Sequence, residues 1–294
     1  MLRELAKRVV PESLKERVRD RNRRKVQAHV SSLPSLSLQM VEQLLEAELG
    51  LTKGDLVFVH SSVDRLNLEF PFFQILGLLR KAIGPDGTLV FPTYPRLSSY
   101  RHLQTDPVFD IQKSPSYTGV LSEFARRQKK ARRSLHPTKS VCAIGPLAEQ
   151  LVSNHALSAL PYSNESPYFR VIENRGKVIG LGVGTFNLSL VHCVDDHLQE
   201  RFPVAPYHPD PIDSRCIDHD GEERIISTFA HDMRKMDFDI PQFMSRHIDG
   251  SIARDITISG QRFFSAEAAP LFAKMSELAL NDATIYRRRH YRGN

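Results

Sequence analysis

The stretch that most restricts the fold of this chain is residues 177–196. A short apolar run, Lys177-Val-Ile-Gly-Leu-Gly-Val183, reads as a buried strand, and Gly180, Gly182 and Gly184 read as a tight exit from it beside a ligand. Ser189 onward reads as a helix whose first turns carry His192, Asp195 and Asp196. A strand that feeds a helix through a glycine turn is a unit of an open α/β sheet, where chemistry collects beyond the carboxyl ends of strands. A histidine with acids three and four residues on has them on one helix face. His192 is therefore a candidate general base, with Asp195 or Asp196 to orient it. Two other readings of the same residues are a structural histidine satisfied by a helix carboxylate and a metal site. The metal site lacks a further ligand at characteristic spacing, so no metal is expected.

The remaining chain repeats the strand and helix alternation. Leu38, Val41, Leu44, Leu45 and Leu49 recur at helical spacing and Gly50 closes them; residues 55–60 then form an apolar run. A helix over 72–83 stops at Gly84-Pro85-Asp86-Gly87 and leads to a second run at 88–91. Helices over 119–130 and 146–153 flank a third run at 141–144. Residues 93–117 are rich in Pro, Ser and Tyr without strong periodicity, and a loop of that length is expected to border a substrate cleft. Asp220-Gly221 between two short runs signals a hairpin, and from about Pro241 the pattern returns to helices. At 294 residues with 41% hydrophobic content, a substantial core is expected.

The net charge of +6 is not spread through this body. Residues 1–29 hold ten basic and four acidic side chains, which accounts for the whole excess. Leu2, Leu5 and Val9, then Leu14 and Val18 after Pro11, give this arm an apolar edge. It reads as a solvated helix in the first place, and in the second as a helix that rests on anionic lipid or docks onto a partner. The Ser-Ser-Leu-Pro-Ser-Leu-Ser stretch at 31–37 reads as a linker, so residues 1–37 form an arm and linker and 38–294 the domain. The basic cluster at 126–133 has no interleaved aromatics to stack bases, and nucleic acid is not an expected partner. No apolar run approaches membrane-spanning length and no signal peptide stands at the start, which points to the cytoplasm. Cys142, Cys193 and Cys216 are an odd, widely spaced set that reads as reduced thiols.

Several common chemistries are disfavoured. Gly180, Gly182 and Gly184 fail the dinucleotide fingerprint because Thr185 and Asn187 stand where a third glycine would be needed. There is neither a GxxxxGK[ST] phosphate loop nor a GxSxG nucleophile elbow. His60-Ser61-Ser62 at a strand end, and Ser134, His136 and Ser140 around Pro137, offer hydroxyls and imidazoles whose bland reading is loop capping. Asp237 and Asp239 have period-two spacing and share one face if extended.

In order, these segments resemble the aminoglycoside 3-N-acetyltransferase family. The resemblance runs from about Leu38 to near residue 275 on several independent motifs: Gly54-Asp-Leu-Val-Phe-Val-His-Ser-Ser62, Gly84-Pro-Asp-Gly-Thr-Leu-Val-Phe-Pro-Thr93, Arg133-Ser-Leu-His-Pro-Thr-Lys-Ser140, Ser166-Pro167-Tyr168, the stretch from Gly180 to His192, and Asp237-Phe-Asp239. It implies an α/β fold: a single large domain with a central mixed sheet flanked by helices, unrelated to the GNAT fold. It also implies acetyl transfer from acetyl-CoA to an amine of an amino sugar or aminoglycoside, an activity associated with antibiotic resistance. On the family's Thr-x-Leu-His-x-x-Glu motif, His192 takes the place of the histidine, Ser189 of the threonine and Asp195 of the glutamate, while Asp237 and Asp239 match acids that polarise the histidine. The likeness places His60, Ser61, Ser62, Arg133, Ser134, His136 and Ser140 along the CoA pantetheine and phosphates.

Departures bear on the acceptor. After His60-Ser61-Ser62 the family continues to a glycine-containing loop where this chain reads Val-Asp-Arg-Leu-Asn-Leu-Glu-Phe70, Leu188 stands where Asn is usual, and Asp195 is one carbon shorter than Glu. These imply a changed acceptor pocket, and nucleotide-linked or lipid-linked amino sugars of surface polysaccharides are the alternative substrates. A non-catalytic CoA-binding protein and a metal-dependent hydrolase are the two further classes to separate.

Overall fold

The computed structural model describes residues 12–292, so the Leu2, Leu5 and Val9 edge of the arm lies outside the described residues. The chain opens with α1 (Glu12–Ser31) and α2 (Leu38–Gln43, extended by a wider turn through Leu44–Glu48), then β1 (Leu56–Ser61), α3 (Gln74–Ile83) and β2 (Thr88–Pro92). Helix α3 buries Ile75, Leu76, Leu79, Ala82 and Ile83 and ends at Gly84, whose φ of 71° stops it. The long loop that follows is not wholly irregular: it contains α4 (Ser99–Leu103) and β3 (Phe109–Asp110). Next come α5 (Val120–Arg126), β4 (Arg132–Arg133), β5 (Val141–Ile144), α6 (Ala148–Val152) and α7 (Pro167–Glu173). The Ser-Pro-Tyr motif is a helix start, in which Ser166 Oγ accepts from Phe169 N and Pro167 takes the first turn. After β6 (Lys177–Leu181), two 3-10 turns lead into α8 (His192–Leu198), and β7 (Ile212–Ile217) and β8 (Glu223–Thr228) form the expected hairpin.

Seven strands make the main sheet in the order β4-β5-β2-β1-β6 and then two strands from the tail. Strand β1 runs parallel to β2 and β6, and the other pairs are antiparallel, so the sheet is mixed. Alternate residues face opposite sides. Phe58, Val90, Ala143 and Val178 join one core with α6, α7 and α8, and Val57, Leu89, Phe91 and Ile179 join another with α2, α3 and α5. Helices cover both faces of the sheet, which is why its central strands are buried throughout and mostly apolar. Strands β3, β7 and β8 form a second, smaller sheet.

Two expectations are corrected. The tail beyond Pro241 is not all helical: α9 (Ile240–His247) is followed by the antiparallel pair β9 (Ala253–Ile258) and β10 (Gln261–Glu267) and only then by α10 (Ala268–Ala279). Strand β10 pairs with β6 and enlarges the sheet. Phe263 and Phe264 enter opposite cores, so the strand is apolar on both faces and shows no alternation, and Ser259-Gly260, both at positive φ, is its hairpin turn. Nor is 31–37 a free linker. Leu36 is buried and pairs with the backbone of Asn67 and Glu69, and the side chains of Asn67 and Gln261 bind the carbonyls of Leu33 and Pro34. Among the described residues no helix is long and apolar enough to cross a membrane.

The glycines in and after β6 are also set by packing within the protein. A methyl at Gly180 would meet the Phe264 ring and one at Gly184 the Asp255 carboxylate. Gly182 has φ +73°, and its Cβ would fall on the Ser62 carbonyl oxygen. Gly182→Ala is therefore expected to destabilise the fold by about 1–3 kcal/mol or more, read as a lowered midpoint in urea unfolding, while Gly221→Ala, with open space around it, is expected to lose less.

Candidate active site

The exit from β6 is held from the far side of the sheet. Thr185 N and Oγ1 donate to the two oxygens of Asp255 at 2.8 and 2.6 Å, which fixes the turn before α8. His192 is the first residue of α8 and Asp195 lies one turn on, both buried. His192 Nδ1 lies 3.0 Å from Asp195 Oδ2, and Tyr286 OH donates to the same oxygen at 2.7 Å while standing 3.3 Å from Nδ1. With a carboxylate on Nδ1, that nitrogen carries the proton and Nε2 carries the lone pair. Nε2 makes no hydrogen bond among the described residues, so the imidazole is oriented with one nitrogen left for a reacting group.

Aromatic rings wall this imidazole. Tyr162, His231 and Phe238 have ring centres 5.3, 4.9 and 5.9 Å from it. His231 stacks on Tyr207 at 4.6 Å, and burial next to His192 and Lys139 holds its pKa well below the ordinary value, so it is neutral. Asp196 turns away from His192: its oxygens accept from Tyr162 N and Tyr207 OH, each at 2.7 Å. The two helix carboxylates thus divide the work, Asp195 orienting the imidazole and Asp196 fastening the wall. Burial pushes the Asp196 carboxyl up to about 8. Ligand atoms of His192, Asp195 and His231 lie within 4.8 Å of one another, a spacing a metal could use. The two bonds already received by Asp195 Oδ2 favour use of the pair for proton transfer.

Asp237 and Asp239 do not reach the imidazole. Phe238 bridges antiparallel to Tyr286 and presents its ring to His192, and in extended chain its two neighbours point the other way. Asp237 instead pairs with Arg287 at 3.2 Å, and Asp239 caps α9 by accepting from Gln242 N at 3.0 Å. The acids do share a face, as their spacing predicted, but it is the face away from the base.

The segments expected along CoA are largely turned inward. Arg133 Nε donates to Ser140 Oγ at 2.9 Å and Thr93 Oγ1 at 3.2 Å, its other nitrogens bind the carbonyls of Thr93, Ser114 and Ile111, and it lies over the Phe109 ring at 4.7 Å. Ser134 Oγ accepts from Val141 N and meets His155 Nδ1, while His136 accepts from Thr138 N and Lys139 N and meets Thr228 Oγ1. All four of Arg133, Ser134, His136 and Ser140 are buried with hydrogen bonds made inside the protein, so they build a scaffold. Ser62 Oγ donates to Asp64 at 2.6 Å. His60 Nε2 and Ser61 Oγ differ: both are buried at the carboxyl end of β1 with no hydrogen-bond partner among the described residues, and burial drives His60 down to about 3.

Residues absent from the sequence-based site are Tyr286, Tyr162, Tyr207, His231, Tyr94 and Lys139. All but Lys139, which lies in the Arg133-to-Ser140 motif, are lone residues in a loop or tail, and no spacing ties any of them to His192. Tyr168 belongs to the Ser-Pro-Tyr motif; its hydroxyl lies 2.6 Å from Tyr94 OH, which in turn lies 3.1 Å from Ser189 Oγ.

This mixed sheet with helices on both faces superposes on aminoglycoside acetyltransferases of known structure. The structure titled AAC-IIIb binary with CoASH superposes with a TM-score of 0.69 over 85% of this chain and 98% of its own, at 24% identity. That of a histidine-to-alanine mutant of AAC(3)-IVa in complex with a gentamicin has a TM-score of 0.62 at 26% identity, over 87% of each chain. The family model for aminoglycoside 3-N-acetyltransferase matches residues 58–279, and the chain belongs to that family. Among relatives, aminoglycoside N(3)-acetyltransferase IV of Salmonella sp is 38% identical over 173 residues, 58% of this chain. The match spans 60% of that relative's own length.

The raised Asp196 pKa has a stability consequence. A carboxyl that keeps its proton in the fold gives a contribution fully present below its unfolded pKa and lost as the pH rises toward the folded value of about 8. Asp196→Asn, which can still accept from Tyr162 N and donate to Tyr207 OH, removes that loss. The melting temperature of the variant relative to wild type is expected to rise steadily between pH 5 and pH 8, as measured by circular dichroism.

Proposed function

We propose that this chain is an N-acyltransferase that moves an acetyl or related acyl group from a CoA thioester to an amine of an amino sugar, with His192 as general base. The observation that carries this reading is the imidazole held at Nδ1 by Asp195 and Tyr286 with Nε2 free. Membership of the acetyltransferase family, and the CoASH and gentamicin bound in similar structures, support the choice of donor and of an amino-sugar acceptor.

When bound, the CoA thioester supplies an electrophilic acyl carbon and a thiolate leaving group. An amine is mostly ammonium near neutral pH and has no lone pair until a proton leaves, so His192 Nε2 is suited to accept that proton. Asp195 and the Tyr286 hydroxyl then stabilise the imidazolium through Nδ1. The same imidazolium can return the proton to the departing thiolate. His60 Nε2 and Ser61 Oγ, buried without partners, are the polar atoms of this chain that fit a role in holding the donor. The exposed basic residues of α1, Arg17, Arg21, Arg23, Arg24 and Lys25, are those that would meet an anionic surface or partner.

Thiol release from acetyl-CoA in the presence of amino sugars tests this reading. His192→Gln is expected to lower kcat by about 10²- to 10⁴-fold with CoA binding retained, and Asp195→Asn by at least about tenfold, whereas Asp237→Asn stays within about threefold of wild type because it is a surface pair. Activity that vanished with a chelator would instead support a metal hydrolase, and CoA binding with no turnover on any amine would leave a binding protein.

A further inference from the structure

Lys139 stands at the end of the His136-Pro137-Thr138 turn, and its backbone is held at both ends: its N–H donates to His136 Nδ1 at 3.0 Å and its carbonyl accepts from Tyr168 OH at 3.0 Å. The turn is itself locked, since the His136 ring stacks on His155 at 4.4 Å. The side chain is thereby aimed into the wall of the site. Its ammonium lies 4.9 Å from the centre of the Tyr94 ring and 5.8 Å from that of Tyr162, and Tyr162 is the ring 5.3 Å from His192. Tyr94 also bonds Ser189, three residues before His192. The ammonium and the base therefore share one aromatic wall.

This ammonium makes no hydrogen bond or ion pair with a described residue, and the only influence on its pKa is burial, which lowers it to about 8 and leaves it mostly charged at neutral pH. Lys139 is half-buried: its side chain lies against two tyrosine faces while its ammonium still reaches solvent, where an entering ligand can meet it. The acids nearby are occupied. Asp195 is bound by His192 and Tyr286, Asp196 by Tyr162 and Tyr207, and Asp237 by Arg287. None of these acids pairs with the Lys139 ammonium among the described residues, so an entering polycation would meet a fixed positive charge there and an anion would find a partner.

We propose that Lys139 determines acceptor specificity by pairing with an anionic group, a carboxylate or a phosphoester, that the amino sugar carries near the amine presented to His192, so that polycationic aminoglycosides are poor acceptors. The proposal rests on the acyl-transfer reading given above and narrows its substrate class. It concerns binding of the acceptor and adds no chemical step.

The test compares glucosamine, glucosamine 1-phosphate, galactosaminuronic acid and gentamicin as acceptors for the full chain with acetyl-CoA. Wild type is expected to favour one of the two anionic sugars over glucosamine by about 10- to 100-fold in kcat/KM, the range of one charge-assisted hydrogen bond, with gentamicin below glucosamine. The anionic sugar that wins identifies carboxylate or phosphoester. Lys139→Met is expected to erase the preference by raising KM for that sugar, with glucosamine within about threefold and KM for acetyl-CoA unchanged; Lys139→Arg keeps the preference. Lys139→Gln replaces the methionine variant if the latter fails to fold by circular dichroism. Equal losses on all acceptors, a raised KM for acetyl-CoA, or faster turnover of gentamicin than of either anionic sugar would overturn the proposal. If wild type acylates none of them, the acyl-transfer reading fails first, and calorimetric titration with the two anionic sugars decides this one: binding lost in Lys139→Met supports it, and binding absent from wild type or unchanged in the variant overturns it.

Discussion

A single buried guanidinium holds the parts of this protein together. Arg133 has no carboxylate partner among the described residues; its charge is accommodated by carbonyls of Thr93, Ser114 and Ile111, hydroxyls of Thr93 and Ser140, and the face of Phe109. Burial lowers its pKa to about 10, which leaves it charged at neutral pH. Five donors in a fixed fork suit this task, because a guanidinium can satisfy several backbone carbonyls at once without closing an ion pair. The consequence is structural: the loop after β2, the small sheet through Phe109, and the edge of the main sheet at β4 and β5 are joined at one point.

From that junction the turn at residues 134–140 is carried into the site. Ser134 and His136 bind His155 and Thr228, Tyr168 binds the Lys139 carbonyl, and Tyr94 links Tyr168 to Ser189. Polar side chains whose bonds are all made internally become rigid, since a broken bond in a low-dielectric interior leaves an unpaired group. The base at His192 is thus oriented by Asp195 and Tyr286 and walled by rings whose own positions are set by Asp196 and this network.

Much of this was legible in the sequence. The apolar runs marked the central strands, the glycine exit from β6 marked the strand end that carries chemistry, and the three-residue spacing of His192 and Asp195 placed an acid next to the base. Family likeness moved the orienting role toward Asp237 and Asp239, and the structure returned it to Asp195. The reason is local: Phe238 points inward, and pleating sends its neighbours out. The Arg133-to-Ser140 motif was also noticed, but a motif does not say whether its side chains face a ligand or the interior. Strand β10 was missed because Phe263 and Phe264 lie in opposite cores and hide the alternation a strand would show.

The sequence by itself determined the class of fold, the strand end that carries the site and the histidine with its nearest acid, because each depends on spacing within a few residues or on a run of one polarity. Only the tertiary structure decided which polar residues are scaffold, brought Tyr286, Tyr162 and His231 against His192 from distant segments, and left the Lys139 ammonium against two tyrosine rings with no hydrogen bond or ion pair among the described residues. Those placements depend on the closure of loops tens of residues long, and whether a buried charge has a partner depends on every element packed against it at once.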